Sequence, residues 1–157
     1  MPDLTIELGE ATLDVLERMA YLFGYPAAAE HLAEPLAPLR GRISYRGAVQ
    51  GVLEVVTSAE LALALAAGVL GRAREELDET HARAALAELL NVLLGGLREW
   101  VGPMATVLES GLPEVAPSAT AADWAELLAR PGVVVLEVEG EPFALTLSCV
   151  TVSEETR

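Results

Sequence analysis

The stretch from Asp78 to Trp100, DETHARAALAELLNVLLGGLREW, decides the fold. Leu86, Leu89, Leu90, Leu93, Leu97 and Trp100 fall at helical spacing and give one strongly apolar side. Ala84, Glu88, Asn91, Gly95 and Arg98 follow one another at alternating four- and three-residue steps, so a helix sets them along one stripe. Asp78 or Thr80 supplies the N-cap, and Gly102-Pro103 supplies the stop. A helix this apolar must be packed, and its stripe of small and hydrogen-bonding residues must then face water or a partner. Gly95 costs about 1 kcal/mol relative to alanine inside a helix. Two readings account for it: close packing against a neighbouring strand, or room for another protein's surface.

Upstream, Ser58 caps a second helix with Glu60 in its first turn, running through LALALAAGVL to Gly71 and reading as buried. Before it, Arg40 to Val56 is rich in β-formers (Ile43, Tyr45, Val49, Val52, Leu53, Val55) and is interrupted at Arg46-Gly47, which predicts a hairpin. A first helix is expected from Glu10 to Phe23 on Leu13, Leu16, Met19, Ala20 and Phe23, ended by Gly24 and Tyr25-Pro26. Ala27 to Pro38 shows no clear period, and its state stays open, with an edge strand preferred. The charged segment from Arg72 to Asp78 should be exposed.

Downstream, Met104 to Leu108 predicts a short strand, Ser110 to Ala119 a surface loop and Ala122 to Ala129 a short helix. GVVVLEVEGEPFALTLSCVTV then reads as a second hairpin turning at Glu139-Gly140-Glu141, with a frayed tail over 153–157. The fold class is α+β: a small mixed or antiparallel sheet packed with long helices, in one domain over 1–157 with a loop or insertion at 110–130.

A degenerate repeat supports a pseudo-two-fold, helix-plus-hairpin arrangement. LERMAYLFG (Leu16 to Gly24) matches AELLNVLLG (Ala87 to Gly95), which pairs Glu17 with Glu88, Ala20 with Asn91 and Gly24 with Gly95. The hairpins correspond loosely around Gly47 and Gly140. Chance similarity between leucine-rich helices is the competing explanation. On the duplication reading, only one half carries a polar site.

Composition narrows the partners. Hydrophobic residues make up 52% of the 157-residue chain and aromatics only 4%, so the core must be built from Leu, Val and Ala. A formal charge of -14 repels phosphate backbones and anionic lipid surfaces, which argues against nucleic-acid and membrane roles. Arg40, Arg42 and Arg46 are the one candidate basic cluster. The apolar run Leu61 to Leu70 is too short for a bilayer, which needs about 20 residues. A single cysteine, Cys149, excludes an internal disulfide and suits a reducing compartment. The acidic start MPDLTIELGE has no export-signal pattern, and a cytoplasmic location is expected.

The motif Glu88-Leu-Leu-Asn91-Val-Leu-Leu-Gly95 resembles the E-x-x-N-x-x-x-G helix of the CheC/CheX/FliY chemotaxis phosphatases. VQGVLEVVTSAELALALAAGVLG resembles the hairpin and helix that precede that motif in CheX-like members, and the order of elements agrees from about Glu10 to Val152. The resemblance implies a hydrolase acting on the aspartyl phosphate of a CheY-like response regulator. It gives Asn91 the water-positioning role and Glu88 the docking of a partner lysine, within the contact stripe of Ala84, Gly95 and Arg98. The chain would need no cofactor of its own, since Mg²⁺ would sit on the partner's carboxylates. It also implies a homodimer joined through sheet edges. Family members often carry Asp or Ser where this chain has Ala84, and that departure favours the alternative of a noncatalytic receiver-binding or scaffold module.

Rival chemistry is thin. His31 and His81 are distant from each other and have no ligand cluster nearby. No serine stands in a nucleophile elbow, Cys149 reads as a small buried hydrophobe, and no nucleotide-binding glycine loop occurs.

Overall fold

The computed structural model describes residues 4–46, 49–101, 109–117 and 121–151, with side chains described for all but 4, 49, 97–101, 121 and 149–151. Among these residues four helices, α1 (Leu4–Ala20), α2 (Ala59–Leu70), α3 (Glu79–Val101) and α4 (Ala121–Leu128), accompany one antiparallel sheet. Its strands are β1 (Gly24–Pro26), β2 (Leu39–Arg46), β3 (Val49–Thr57), β4 (Glu109–Ser110), β5 (Glu114–Pro117), β6 (Val134–Val138) and β7 (Glu141–Thr151). The chain is therefore α+β, as expected.

Both predicted hairpins form. β2 pairs with β3 from Leu39↔Thr57 to Arg46↔Gln50, and β6 pairs with β7 through Glu139 and Gly140. Those two turn residues both take left-handed backbone, φ 50° and 78°, which matches the right-handed twist of the strands they join. Alternation along β2 sends Leu39, Ile43 and Tyr45 to one face and Arg40, Arg42, Ser44 and Arg46 to the other. On the first face lies the main core, where Leu53, Val55, Phe143 and Leu145 meet Leu16 of α1, Leu65 of α2 and Leu86, Leu89, Leu90 and Leu93 of α3. α4 packs on the other face, where Trp124 and Leu127 cover Val56 and Ala144.

The strand order β1-β6-β7-β3-β2-β4, with β5 also on β2, carries the pseudo-two-fold. The two hairpins meet at β3 and β7, where Glu54 lies opposite Thr146. The strand after α1 pairs with the second hairpin, and the strands after α3 pair with the first.

Several boundaries differ from expectation. α1 ends at Ala20, and its buried seam is Leu8, Thr12, Val15, Leu16 and Ala20. The polar Thr12 enters that seam because its hydroxyl donates to the Leu8 carbonyl at 2.7 Å. Phe23 is therefore exposed and outside the helix. Gly24, read as the helix stop, serves a strand instead: a Cβ there would come within 2.4 Å of the Glu137 carbonyl oxygen. The edge strand is β1, while 27–38 holds only a 3₁₀ turn at Ala29–His31. The loop expected over Ser110 to Ala119 contains β4's last residue and β5, short edge strands that neighbouring prolines hide from a pattern search. α2 is buried at Leu61, Ala62, Leu65 and Ala66 but exposed at Val69 and Leu70, so it is a half-covered helix. The strand expected at Met104 to Leu108 and the tail at 153–157 lie outside the described residues.

Candidate functional site

α3 is fixed at its start and along its apolar side. Asp78 is the N-cap: its carboxylate accepts the backbone N–H groups of Thr80 at 3.0 Å and His81 at 3.3 Å. The His81 N–H is the main reason that this carboxyl lies below its ordinary value. Ala82, Ala85, Leu86, Leu89, Leu90, Leu93 and Leu94 are buried, and each fully buried leucine contributes about 2 kcal/mol of apolar transfer. The helix is thereby a rigid platform for whatever stands on its other side.

On that other side Ala84, Glu88, Asn91 and Gly95 are all exposed, with Val92 beside them. Glu88 and Asn91 are three residues apart, about 4.5 Å along the axis, and their side chains lie on neighbouring rows of one face. Neither has a hydrogen bond or ion pair with another described residue, and the exposed Asn91 carboxamide offers both a donor and an acceptor. Added Cβ atoms at Gly95 and Gly96 would meet nothing within 4 Å. Close packing against a described neighbour therefore does not explain Gly95. Arg98 belongs to the α3 backbone, but its side chain lies outside the described residues.

The equivalent place on α1 is closed. Glu17 is exposed like Glu88, but Ala20, the counterpart of Asn91, is buried against α2. Only one half of the fold presents the motif.

Elsewhere the expected basic cluster breaks up. Arg40 is consumed by Glu54 at 2.5 Å and Asp123 at 2.9 Å, leaving Arg42 and Arg46 exposed, with no ion pair to another described residue. Arg130 pairs with Glu54 and with Glu126, so five charged side chains tie α4 and the turn after it to the sheet. Glu54 is only 3% exposed. Burial alone would raise its carboxyl, but hydrogen bonds from Arg130 and Arg40 outweigh it and hold it below the ordinary range. This network was not anticipated, because Glu54 sits inside a β-forming run and its partners lie 14 and 76 positions away.

No group of three or more His, Cys, Asp or Glu among the described residues could hold a metal ion. His81 lies in the first turn of α3 and His31 on the 3₁₀ turn. No helix is long and apolar enough to cross a membrane among these residues.

Neither a family model nor a curated protein matches the chain. Solved structures do. A chemotaxis protein CheX from Desulfovibrio desulfuricans is similar with a TM-score of 0.67 and 16% identity, over 94% of this chain and 99% of its own. CheX from Vibrio vulnificus is similar with a TM-score of 0.67 and 18% identity, over 92% and 95%. The CheX in a CheX-CheY-BeF3-Mg complex from Borrelia burgdorferi is similar with a TM-score of 0.64 and 14% identity, over 93% and 97%. The chain has the fold of the CheX-type chemotaxis proteins.

Proposed function

We propose that this chain acts in chemotaxis or a related two-component pathway as a phosphatase of the CheC/CheX/FliY kind, removing the aspartyl phosphate of a CheY-like response regulator. The observation that carries the reading is the exposed carboxamide of Asn91 on the open face of α3, one turn from an exposed Glu88, neither of them bonded to another described residue. The Borrelia burgdorferi structure holds its CheX with CheY, beryllofluoride and Mg, and its fold is the fold of this chain.

The chemistry needs little from this side. Asn91 accepts one proton of a water with its carbonyl oxygen and donates its N–H to the phosphoryl group, which sets the water in line with the scissile bond. The water oxygen bonds to phosphorus, and the P–O bond to the partner's aspartate breaks. Its electron pair passes to the carboxylate, inorganic phosphate leaves, and a water proton goes to phosphate or solvent. Mg²⁺ held by the partner's carboxylates would neutralise the phosphoryl oxygens. Glu88 pairs with a partner lysine and fixes the register, and Gly95 and Gly96 let the partner's backbone come close. A homodimer joined through a sheet edge belongs to the same reading.

One observation favours the alternative of a noncatalytic receiver-binding module. Ala84 stands one turn before Glu88 and offers it neither hydroxyl nor carboxylate, and no other described residue supports the Glu88 side chain. The test is phosphate decay on receiver domains phosphorylated in vitro with Mg²⁺. Acceleration by the wild type and none by Asn91→Ala supports catalysis. Binding without acceleration assigns the alternative, and neither binding nor acceleration sinks both.

A further inference from the structure

We propose that the end of α1 and the edge strand β1 form a second docking surface, whose occupant is a basic segment of a partner protein. The chain has seven aromatic residues. Tyr45, Trp124 and Phe143 are buried in the two cores, whereas Tyr21, Phe23 and Tyr25 are 82%, 54% and 58% exposed along a single run. Leu22 between them is buried, so the run is anchored from inside while its rings stand outward.

Tyr21 is the residue that the fold does not explain. Its N–H donates to the Glu17 carbonyl at 2.9 Å and the Leu22 N–H donates to the Leu16 carbonyl at 3.3 Å, which closes the helix in a left-handed turn at φ 56°. Glycine is the usual occupant of that position because a Cβ crowds the backbone there. A tyrosine accepts this strain and gains almost no burial in return. Exposed tyrosines supply large contact area at small entropic cost, which is what a binding surface requires.

The surroundings set the charge of the occupant. Asp14, Glu17, Glu137 and Glu139 border the run, and Arg18 beside them is paired to Asp14. Glu137 accepts the Tyr25 hydroxyl and Glu139 accepts the Phe23 N–H at 2.8 Å, while the Glu17 carboxylate is exposed and has no partner among the described residues. A notch of about 160 Å³ lies between α1 and β1, lined by Leu13, Asp14, Glu17, Leu22, Phe23 and Gly24. Its walls are mixed: Leu13, Leu22 and Phe23 suit the methylene stem of an arginine or lysine, and Asp14, Glu17 and the Phe23 ring suit its charged end. A second copy bringing the same acidic face would be repelled, so the complement is a foreign basic segment.

The experiment titrates the full ¹⁵N-labelled chain with the peptide acetyl-Gly-Arg-Leu-Arg-Gly-amide and with its citrulline counterpart, which keeps the shape and removes the charge. The expected result is amide shifts confined to 13–25 and 137–140, with binding weakened about fivefold or more by citrulline or by Phe23→Ser. Tyr21→Gly separates binding from folding: it should weaken the peptide while raising the thermal midpoint, because it relieves the left-handed strain. Shifts spread evenly over the acidic surface, or a Tyr21→Gly chain that binds as tightly as wild type, would overturn the proposal. A concentration-dependent dimer that Phe23→Ser dissolves would also overturn it by giving the face to a second copy.

Discussion

Gly68 of α2 lies directly against Ala20 of α1: a Cβ at Gly68 would fall 2.4 Å from the Ala20 Cβ and 2.6 Å from its carbonyl oxygen. This contact seals the place on α1 that corresponds to Asn91 on α3. Gly68→Ala should therefore destabilise the chain by about 1–3 kcal/mol, the usual cost of overpacking against backbone. Urea unfolding measures it. Ala20→Asn, by the same contact, should destabilise without adding a second active face.

Asn91→Ala removes an exposed side chain with no hydrogen bond to another described residue, and alanine is the better helix former. Stability should stay within about 0.5 kcal/mol of wild type. Phosphatase action should fall about a hundredfold or to baseline, as loss of a positioning group does. The pair of measurements is thermal unfolding and receiver dephosphorylation on the same preparation.

Gly95→Ala should move the two properties in opposite directions. The space beside Gly95 is empty, so alanine gains up to about 1 kcal/mol of helix stability. The added methyl stands where the partner's backbone is to approach, and receiver binding should weaken. Equal binding by Gly95→Ala would show that the contact does not run along this stripe.

Glu54→Gln leaves Arg40 and Arg130 without their shared carboxylate. Those arginines are 27% and 33% exposed, so the full buried-pair cost is reduced by solvent, and about 2 kcal/mol of destabilisation at pH 7 is expected. The sign of its pH dependence follows from a carboxyl held below the ordinary glutamate value of 4.5 in the folded chain. The folded state then binds fewer protons than the unfolded state, so this stabilisation is complete above 4.5 and is lost as pH falls through the lowered folded value. Wild type and Glu54→Gln should converge in acid urea titrations and separate at neutral pH.

Ser58 caps α2 by accepting the Leu61 N–H at 3.1 Å, and its hydroxyl donates to Glu141 at 2.6 Å at the start of β7. Ser58→Ala removes both bonds from a buried position, and a loss of about 1–2 kcal/mol is expected. Ser58→Asp should restore the cap but place a like charge beside Glu141, and it should rescue little.

The legible parts of this chain were those with strong periodicity or explicit punctuation. α3 and its stripe, the Ser58 cap, the Gly71 stop and both hairpins could be read because apolar spacing, caps and turn residues agreed there. α1 was placed at the wrong end because Phe23 continues its apolar spacing, while the chain turns at Tyr21, a residue that no turn rule would choose. β5 escaped because a four-residue edge strand with a single half-buried residue, Val115, has almost no period to detect. At the site itself, residue types were readable, but exposure was not. Whether Gly95 faces a strand or open space depends on how α3 lies on the sheet, which spacing along one helix cannot say.

The exchange of edge strands has a consequence for assembly and descent. Each half lends its outermost strand to the other half's hairpin, so neither could complete its own sheet when cut away from its sister. A half-length chain of this design would close only by trading strands with a twin. The full chain holds that trade within one molecule, and fragments divided in the segment between α2 and α3 should be inert apart and recover structure only when mixed.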